Sequence, residues 1–233
     1  GEALAASALL TGNIKLDVTI PRLSATEREA LRRELSQPEG GQVLMGSSTW
    51  PGEEAALLDA LRRARAAGTR CALLLVPRHA ERRAELERLL EPSGLRSHFR
   101  SRGAAAGEVD VAVADTTGEM HRLLQVADVV FVGKSLPPHT EGQTPVEAAA
   151  LEKPILFGPG MSNFRQISRD LQANGAAMVV RDVGELAVSV MLLLKDPGRR
   201  AAMASAAQAW HRANQGAVAR TLAVIREELA KLP

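Results

Sequence analysis

Apolar positions along this chain follow two alternating patterns. Short continuous runs, such as Cys71-Ala72-Leu73-Leu74-Leu75-Val76 and Val129 to Val132, carry no polar alternation, which marks strands covered on both faces. Between them lie stretches of helical period. The clearest runs from Glu53 to Ala67, where Ala56, Leu57, Ala60, Leu61 and Ala64 recur on one face. After a short lead-in, the pattern predicts a strand at Gln42 to Gly46, that helix, the strand Cys71 to Val76 and a helix at Glu81 to Leu90. A strand at Val109 to Ala114, a short helix at Glu119 to Ala127 and the strand Val129 to Val132 come next. Pro145 opens a helix through Leu151, because proline suits a first helical turn, and Pro154 leads the strand Ile155 to Phe157. A last strand, Ala177 to Val180, precedes three helices at Val183 to Leu194, Pro197 to Ala213 and Gln215 to Leu232. Strands alternating with helices predict a parallel sheet wound on both faces, an α/β Rossmann-like fold. With no internal repeat and no long linker, residues 1 to 233 read as a single domain.

Composition narrows the functional classes. Hydrophobic residues at 45% and charged residues at 24% describe an ordinary folded domain. The formal charge of +2 comes from 29 Lys and Arg against 27 Asp and Glu, with Arg interleaved with Glu along helices, so it forms no nucleic-acid stripe. Aromatics make up 3% and Tyr is absent, which leaves little for base stacking; no nucleic-acid partner is expected. The single Cys71 lies in an apolar run and excludes an internal disulfide framework. No stretch reaches the roughly 20 apolar residues of a spanning helix. The opening Gly1-Glu2-Ala3 lacks both an initiator Met and a signal-peptide start, and is expected to be a trimmed beginning.

Ligands of an open parallel sheet bind beyond the carboxyl ends of its strands. After the first strand, Gly46 to Glu54 runs small hydroxyls and glycines into a helix start, suited to a phosphate or simply to helix capping. After the second stands Pro77-Arg78-His79, where Arg78 can grip a phosphate and His79 can hydrogen-bond a sugar or base, although surface Arg and His are common. Asp115 to Met120 repeats the arrangement, or is a well-capped turn. Most informative is the polar loop from Val132 to Ala148, in which Thr144 and backbone amides can meet a phosphate while Glu147 accepts from ribose hydroxyls. Gly133-Lys134-Ser135 lacks the glycine spacing of a Walker loop. Five His and one Cys without ligand spacing give no zinc site, and no Ser sits in a hydrolase elbow.

In order, these loops resemble the C-terminal domain of the Kdo (3-deoxy-D-manno-octulosonic acid) transferases, glycosyltransferases of the GT-B fold. Thr11 to Asp17 resembles the family's TGNLKFD, Ser47 to Glu54 its ASTHEGEE, Val76 to Arg82 its VPRHPER and Asp115 to Met120 its DTMGEL. Val130 to Ala148 resembles FVGGSL…GGHNPLEP, and Lys153 to Phe164 resembles GKPVLFGPHTxNF. The sequence departs from these strings at Trp50 (His in the family), Pro51 (Glu), Lys134 (Gly), and Gln143 and Thr144 (His-Asn).

The resemblance implies a domain that binds CMP-Kdo for transfer to a lipid A precursor in lipopolysaccharide biosynthesis, with no cofactor and no metal. It implies that Arg78, Gly118, Glu119, Thr144 and Glu147 line the CMP pocket and that the Thr49 to Glu53 loop faces the donor's phosphate or sugar. Lys15, Gly52, His79, Met120 and Gly142 complete the candidate substrate-binding set. Acceptor site and catalytic base are expected in an N-terminal domain outside this sequence, so that this piece alone would be inactive. The parent enzyme is expected at the cytoplasmic face of the bacterial inner membrane, with this half soluble. Two further readings stand beside it. One is a GT-B transferase or epimerase-like domain using a UDP-sugar, which would prefer UDP to CMP. The other is a non-catalytic nucleotide-binding module. Oligomeric state is left open.

Overall fold

The computed structural model describes residues 8–231. The readings made on Gly1-Glu2-Ala3 and on Leu232 fall outside that range. Helix α1 (Ala25–Glu34) opens the regular structure. Its first turn is closed by a capping box in which Ser24 Oγ accepts from the Glu27 amide and the Glu27 carboxylate accepts from the Ser24 amide. This helix falls in what the apolar pattern reads as a lead-in, because its only buried residue is Leu31. The core then alternates strand and helix through β1 (Gln42–Thr49), α2 (Glu53–Ala66), β2 (Cys71–Pro77) and α3 (Arg83–Leu90). It continues through β3 (Ser97–Phe99), β4 (Val111–Val113), α4 (Met120–Leu123), β5 (Val129–Val132) and α5 (Val146–Ala150). The last elements are β6 (Ile155–Phe157), α6 (Arg165–Ala173), β7 (Ala177–Val179), α7 (Val183–Lys195), α8 (Pro197–Asn214) and α9 (Ala217–Leu229).

The seven strands form one parallel sheet in the order β3-β4-β2-β1-β5-β6-β7. Successive residues of each central strand enter opposite cores. Val43, Met45, Leu74, Val130 and Ile155 pack on the face covered by α1, α5, α6 and α8, whereas Leu44, Leu73, Leu75, Phe131 and Leu156 pack on the face covered by α2, α3 and α7. This two-sided burial is why the strands read as unbroken apolar runs. Each such side chain contributes roughly 1.5–3 kcal/mol by leaving water.

Where structure and pattern differ, the reason is local. β3 is a short edge strand, its Ser97 exposed, and carries too little apolar signal to stand out. α6 buries only Ile167, Ser168 and Leu171, and so lacks the continuous stripe that marked α2. The helix expected from Glu119 to Ala127 tightens after α4 into a 3₁₀ turn, Leu124–Val126. β1 runs on to Thr49, with a register shift between Ser47 and Thr49 around Ser48, whose φ is +52°.

One largely buried cation ties two neighbouring strands of the sheet together. Lys153 Nζ donates to the carbonyls of Gln125 (3.1 Å) and Ala127 (2.8 Å), fixing the entry to β6 against the entry to β5. Burial, which disfavours the charged ammonium, pulls the Lys153 pKa down from 10.5 to about 8. Between those values the unfolded chain binds the proton and the folded chain does not, so this group's contribution to stability increases as pH rises from about 8 to 10.5. An NMR titration of the lysine side chains is expected to show Lys153 changing charge near pH 8; a midpoint near 10.5 would refute the account.

Candidate functional site

β1 is the strand at which the sheet changes direction, with β2 on one side and β5 on the other. Ser47 lies level with Val76 and Val132, so the loops leaving β1, β2 and β5 start side by side at the sheet's carboxyl edge. That is the crevice in which open α/β sheets bind ligands. A single carboxylate organises it. Glu53, at the start of α2, is 1% exposed and accepts four backbone N–H bonds: from Trp50 (2.9 Å) and Lys134 (2.8 Å) on one oxygen, and from Ser135 (2.8 Å) and Leu136 (3.1 Å) on the other. Burial pushes its carboxyl above the usual range, and the four amides pull it partly back. The two loops it joins touch closely. A Cβ on Gly133 would lie 2.3 Å from the Ser48 carbonyl oxygen, so only glycine fits there.

Beside this junction opens a cavity of about 340 Å³. Six of the candidate residues line it: Arg78, Gly118, Glu119, Met120, Thr144 and Glu147. Arg78 leaves the end of β2, its amide held by the Thr49 carbonyl at 3.1 Å, and its guanidinium has no ion-pair partner among the described residues. Glu147, in the first turn of α5, likewise presents an unpaired carboxylate. Glu119 differs. Arg100 grips it bidentately at 2.8 and 2.9 Å and Thr116 Oγ1 donates to it, and the Arg100 hydrogen bonds hold its carboxyl below the usual range. Arg100 was missed by sequence reasoning because it follows the missed strand β3. Ser47, Ser48 and Gln143 also line the cavity.

The other candidates lie elsewhere. The side chains of Thr49 and Glu53 are buried, whereas Pro51 and Gly52 between them are exposed: a buried carboxylate takes its hydrogen bonds from the nearest free amides, and these belong to the two loops. Gly52 is the exposed N-cap of α2 at φ +93°, and Gly142 is buried against Met161. Lys15 is exposed in the 3₁₀ turn Ile14–Leu16 and does not line the cavity; the segment's placed carboxylate is Asp17, which accepts from the amides of Gly216 and Val218 at the start of α9. His79 packs edge-on against Trp50, with centroids 5.3 Å apart, and Trp50 meets His139 in the same way at 5.9 Å. Lys134 Nζ lies 4.3 Å over the Trp50 ring. Two of the departures from the family strings are therefore in contact. The backbone of Lys134 has φ +57°, a conformation natural to the glycine those strings carry.

The family model for glycosyl transferases group 1 matches residues 93–210, half of the chain. The chain belongs to the group 1 glycosyl transferases. It is 36% identical over 227 residues to the 3-deoxy-D-manno-octulosonic acid transferase of Bordetella pertussis, covering 94% of this chain and 51% of the relative. The Haemophilus influenzae enzyme of the same name is 30% identical, with 95% and 52% covered. The chain thus spans about half the length of these curated relatives. Among solved structures, the C-terminal CMP-Kdo binding domain of WaaA from Acinetobacter baumannii superposes with a TM-score of 0.73 at 26% identity, covering 82% of this chain and 97% of that one. Anabaena HepE bound to UDP-glucose shares the fold at 21% identity and a TM-score of 0.64, over 94% of this chain and 56% of that one.

In this glycosyl transferase domain the cavity's walls depend on Glu53. Glu53→Gln keeps the shape but turns an NH₂ toward amides that need an acceptor, leaving buried donors unpaired. We expect a loss of about 2 kcal/mol in denaturant unfolding, within the range for a buried unsatisfied group; a change below about 0.5 kcal/mol, the scatter of neutral substitutions, would show that the junction does not depend on the charge.

Proposed function

We propose that this domain holds CMP-linked 3-deoxy-D-manno-octulosonic acid for glycosyl transfer to a lipid A precursor in lipopolysaccharide biosynthesis. The observation that carries the reading is the cavity at the sheet's crossover, with a free guanidinium on Arg78 and a free carboxylate on Glu147 facing one space. Arg78 is the cation for the nucleotide's phosphate, and Glu147 is the acceptor for ribose hydroxyls, with the Thr144 hydroxyl beside it. The likeness to a CMP-Kdo binding domain, at nearly its full length, supports the cytidine nucleotide over a uridine one.

Glycosyl transfer breaks the bond between the anomeric carbon and the donor phosphate, and negative charge grows on the departing phosphate oxygen. A guanidinium beside that oxygen, as Arg78 offers, stabilises that charge more in the transition state than in the bound donor. The acceptor hydroxyl and the base that takes its proton belong to the part of the relatives' length that this chain does not span. The residues described here therefore bind, orient and discharge the leaving group, as one domain of a larger enzyme working at the cytoplasmic face of the inner membrane. No helix among the described residues is long and apolar enough to cross a membrane.

Arg78→Ala is expected to weaken CMP binding by about 1–3 kcal/mol, the cost of losing a charge-assisted hydrogen bond. Calorimetric titration with CMP and UDP checks both statements. An unchanged CMP affinity would remove Arg78 from the site, and a preference for UDP would replace the donor.

A further inference from the structure

Beyond the carboxyl ends of β6 and β7 lies a second cavity, of about 480 Å³. Its apolar surfaces come from Phe157, Met161 and Val179. One wall is the segment Pro137 to Thr140; another is α6, which presents Arg165, Arg169 and Gln172. Backbone pairing fixes the first wall. The Gly160 amide donates to the Ser135 carbonyl at 2.9 Å, and Ser162 and Asn163 donate to the carbonyls of Thr140 and Glu141 at 3.0 Å each. A Cβ on Gly160 would stand 2.2 Å from the His139 carbonyl oxygen, so the two strands of loop are in direct backbone contact.

The charge of this cavity is what sets it apart. Arg165 and Arg169 are four residues apart on one helix, a spacing that brings like charges together at a small cost, and both are exposed. Neither guanidinium has an ion-pair or hydrogen-bond partner among the described residues, and no Asp or Glu lines the cavity. Apart from Arg78 in the first cavity, other arginines near the sheet's carboxyl edge are answered: Arg82 by Glu54 and Glu85, Arg83 by Asp115, Arg100 by Glu119. Two uncompensated forks in a concave surface concentrate positive potential and match the oxygens of a carboxylate or phosphate. The apolar surfaces beside them suit the C–H face of a sugar ring. Trp50 links the two cavities, since it touches His79, next to Arg78 of the first, and His139, which lines the second.

We infer that the second cavity is an anion-binding subsite for an acidic sugar unit, its carboxylate or phosphate gripped by Arg165 and Arg169. Its place in glycosyl transfer rests on the reading of the first cavity as the nucleotide site, whereas its selectivity for an anion rests on its own charge. The test is a ¹⁵N-resolved NMR titration of this chain, with and without saturating CMP, using free 3-deoxy-D-manno-octulosonate, glucose 6-phosphate and neutral glucose as probes. Both anions, or one of them, are expected to shift resonances between residues 158 and 172 while CMP stays bound. The surface double variant Arg165→Gln/Arg169→Gln is expected to weaken that binding at least tenfold and to leave CMP affinity within twofold. Preference for the sugar acid would point to the glycosyl unit of the donor, and preference for the phosphate to a phosphorylated acceptor. The inference is overturned if no anion shifts these resonances, if glucose binds as tightly, if CMP displaces the probe, or if the double variant binds unchanged. Binding of the acid without any binding of CMP would instead remove the nucleotide reading and leave this one standing.

Discussion

Four backbone amides converge on one buried carboxylate, and the carboxyl edge of the sheet is arranged around that fact. Glu53 begins α2, yet three of its four donors, the amides of Lys134, Ser135 and Leu136, belong to the loop after β5, more than eighty residues on. A desolvated carboxylate tolerates such a position only when its lone pairs are filled. The requirement fixes the loops relative to each other. It turns the amides of residues 134 to 136 toward α2, with Lys134 in the left-handed region, and sets Gly133 against the Ser48 carbonyl. The polar loop that carries Thr144 and leads into Glu147 is thereby anchored at its start, before any ligand arrives.

Around that junction the charged residues divide by whether they are already satisfied. Glu54 and Arg82 hold α2 to the turn before α3, Arg82 being largely buried and also donating to the Thr49 carbonyl. Asp115 takes the Ser101 hydroxyl at 2.6 Å and sits 2.6 Å from Arg83, and Glu119 is closed by Arg100. These pairs fix the backbone of the strand-end loops, and their charges are spent on one another. Left without an ion-pair partner among the described residues that line the two cavities are Arg78 and Glu147 in one, Arg165 and Arg169 in the next. A residue type at a strand end is therefore a weak guide to its role until its partners are known.

That distinction sets how much of the molecule was legible in its sequence. The doubly buried strands and the long helices α2, α7 and α8 were readable because burial on a sheet or along a helical stripe leaves a one-dimensional trace. α1 left a different trace, the Ser24-to-Glu27 capping box, which is local and readable, yet an apolar scan passes over it. β3 left none, and with it went Arg100. Among the residues that line the first cavity, Arg78, Thr144 and Glu147 were legible as polar groups just past strand ends in an ordered series of motifs. Thr49 and Glu53 belong to the same series but face inward. No local pattern distinguishes a carboxylate at a helix start that greets a ligand from one that binds a distant loop, because the deciding amides lie in residues 134 to 136.

The contact between Trp50 and Lys134 carries the same lesson into specificity. At each position alone, the departure from the family strings looks like drift: a larger aromatic in one loop, a lysine in place of glycine in another. Together they form one unit, an ammonium 4.3 Å over an indole ring, with Glu141 3.5 Å from the same ammonium. Such a contact is worth about 0.5–1 kcal/mol at an exposed site, to be set against the roughly 1–2 kcal/mol that a left-handed backbone costs a residue other than glycine. The side-chain contact thus offsets part of the lysine's backbone cost, and the Lys134 amide still donates to Glu53. The added cation stacks on the same Trp50 that touches His79, beside Arg78 of the first cavity, and His139 of the second. The departures from the family strings fall at Trp50, Pro51, Lys134, Gln143 and Thr144, while Glu53, the carboxylate that positions the loops, matches them.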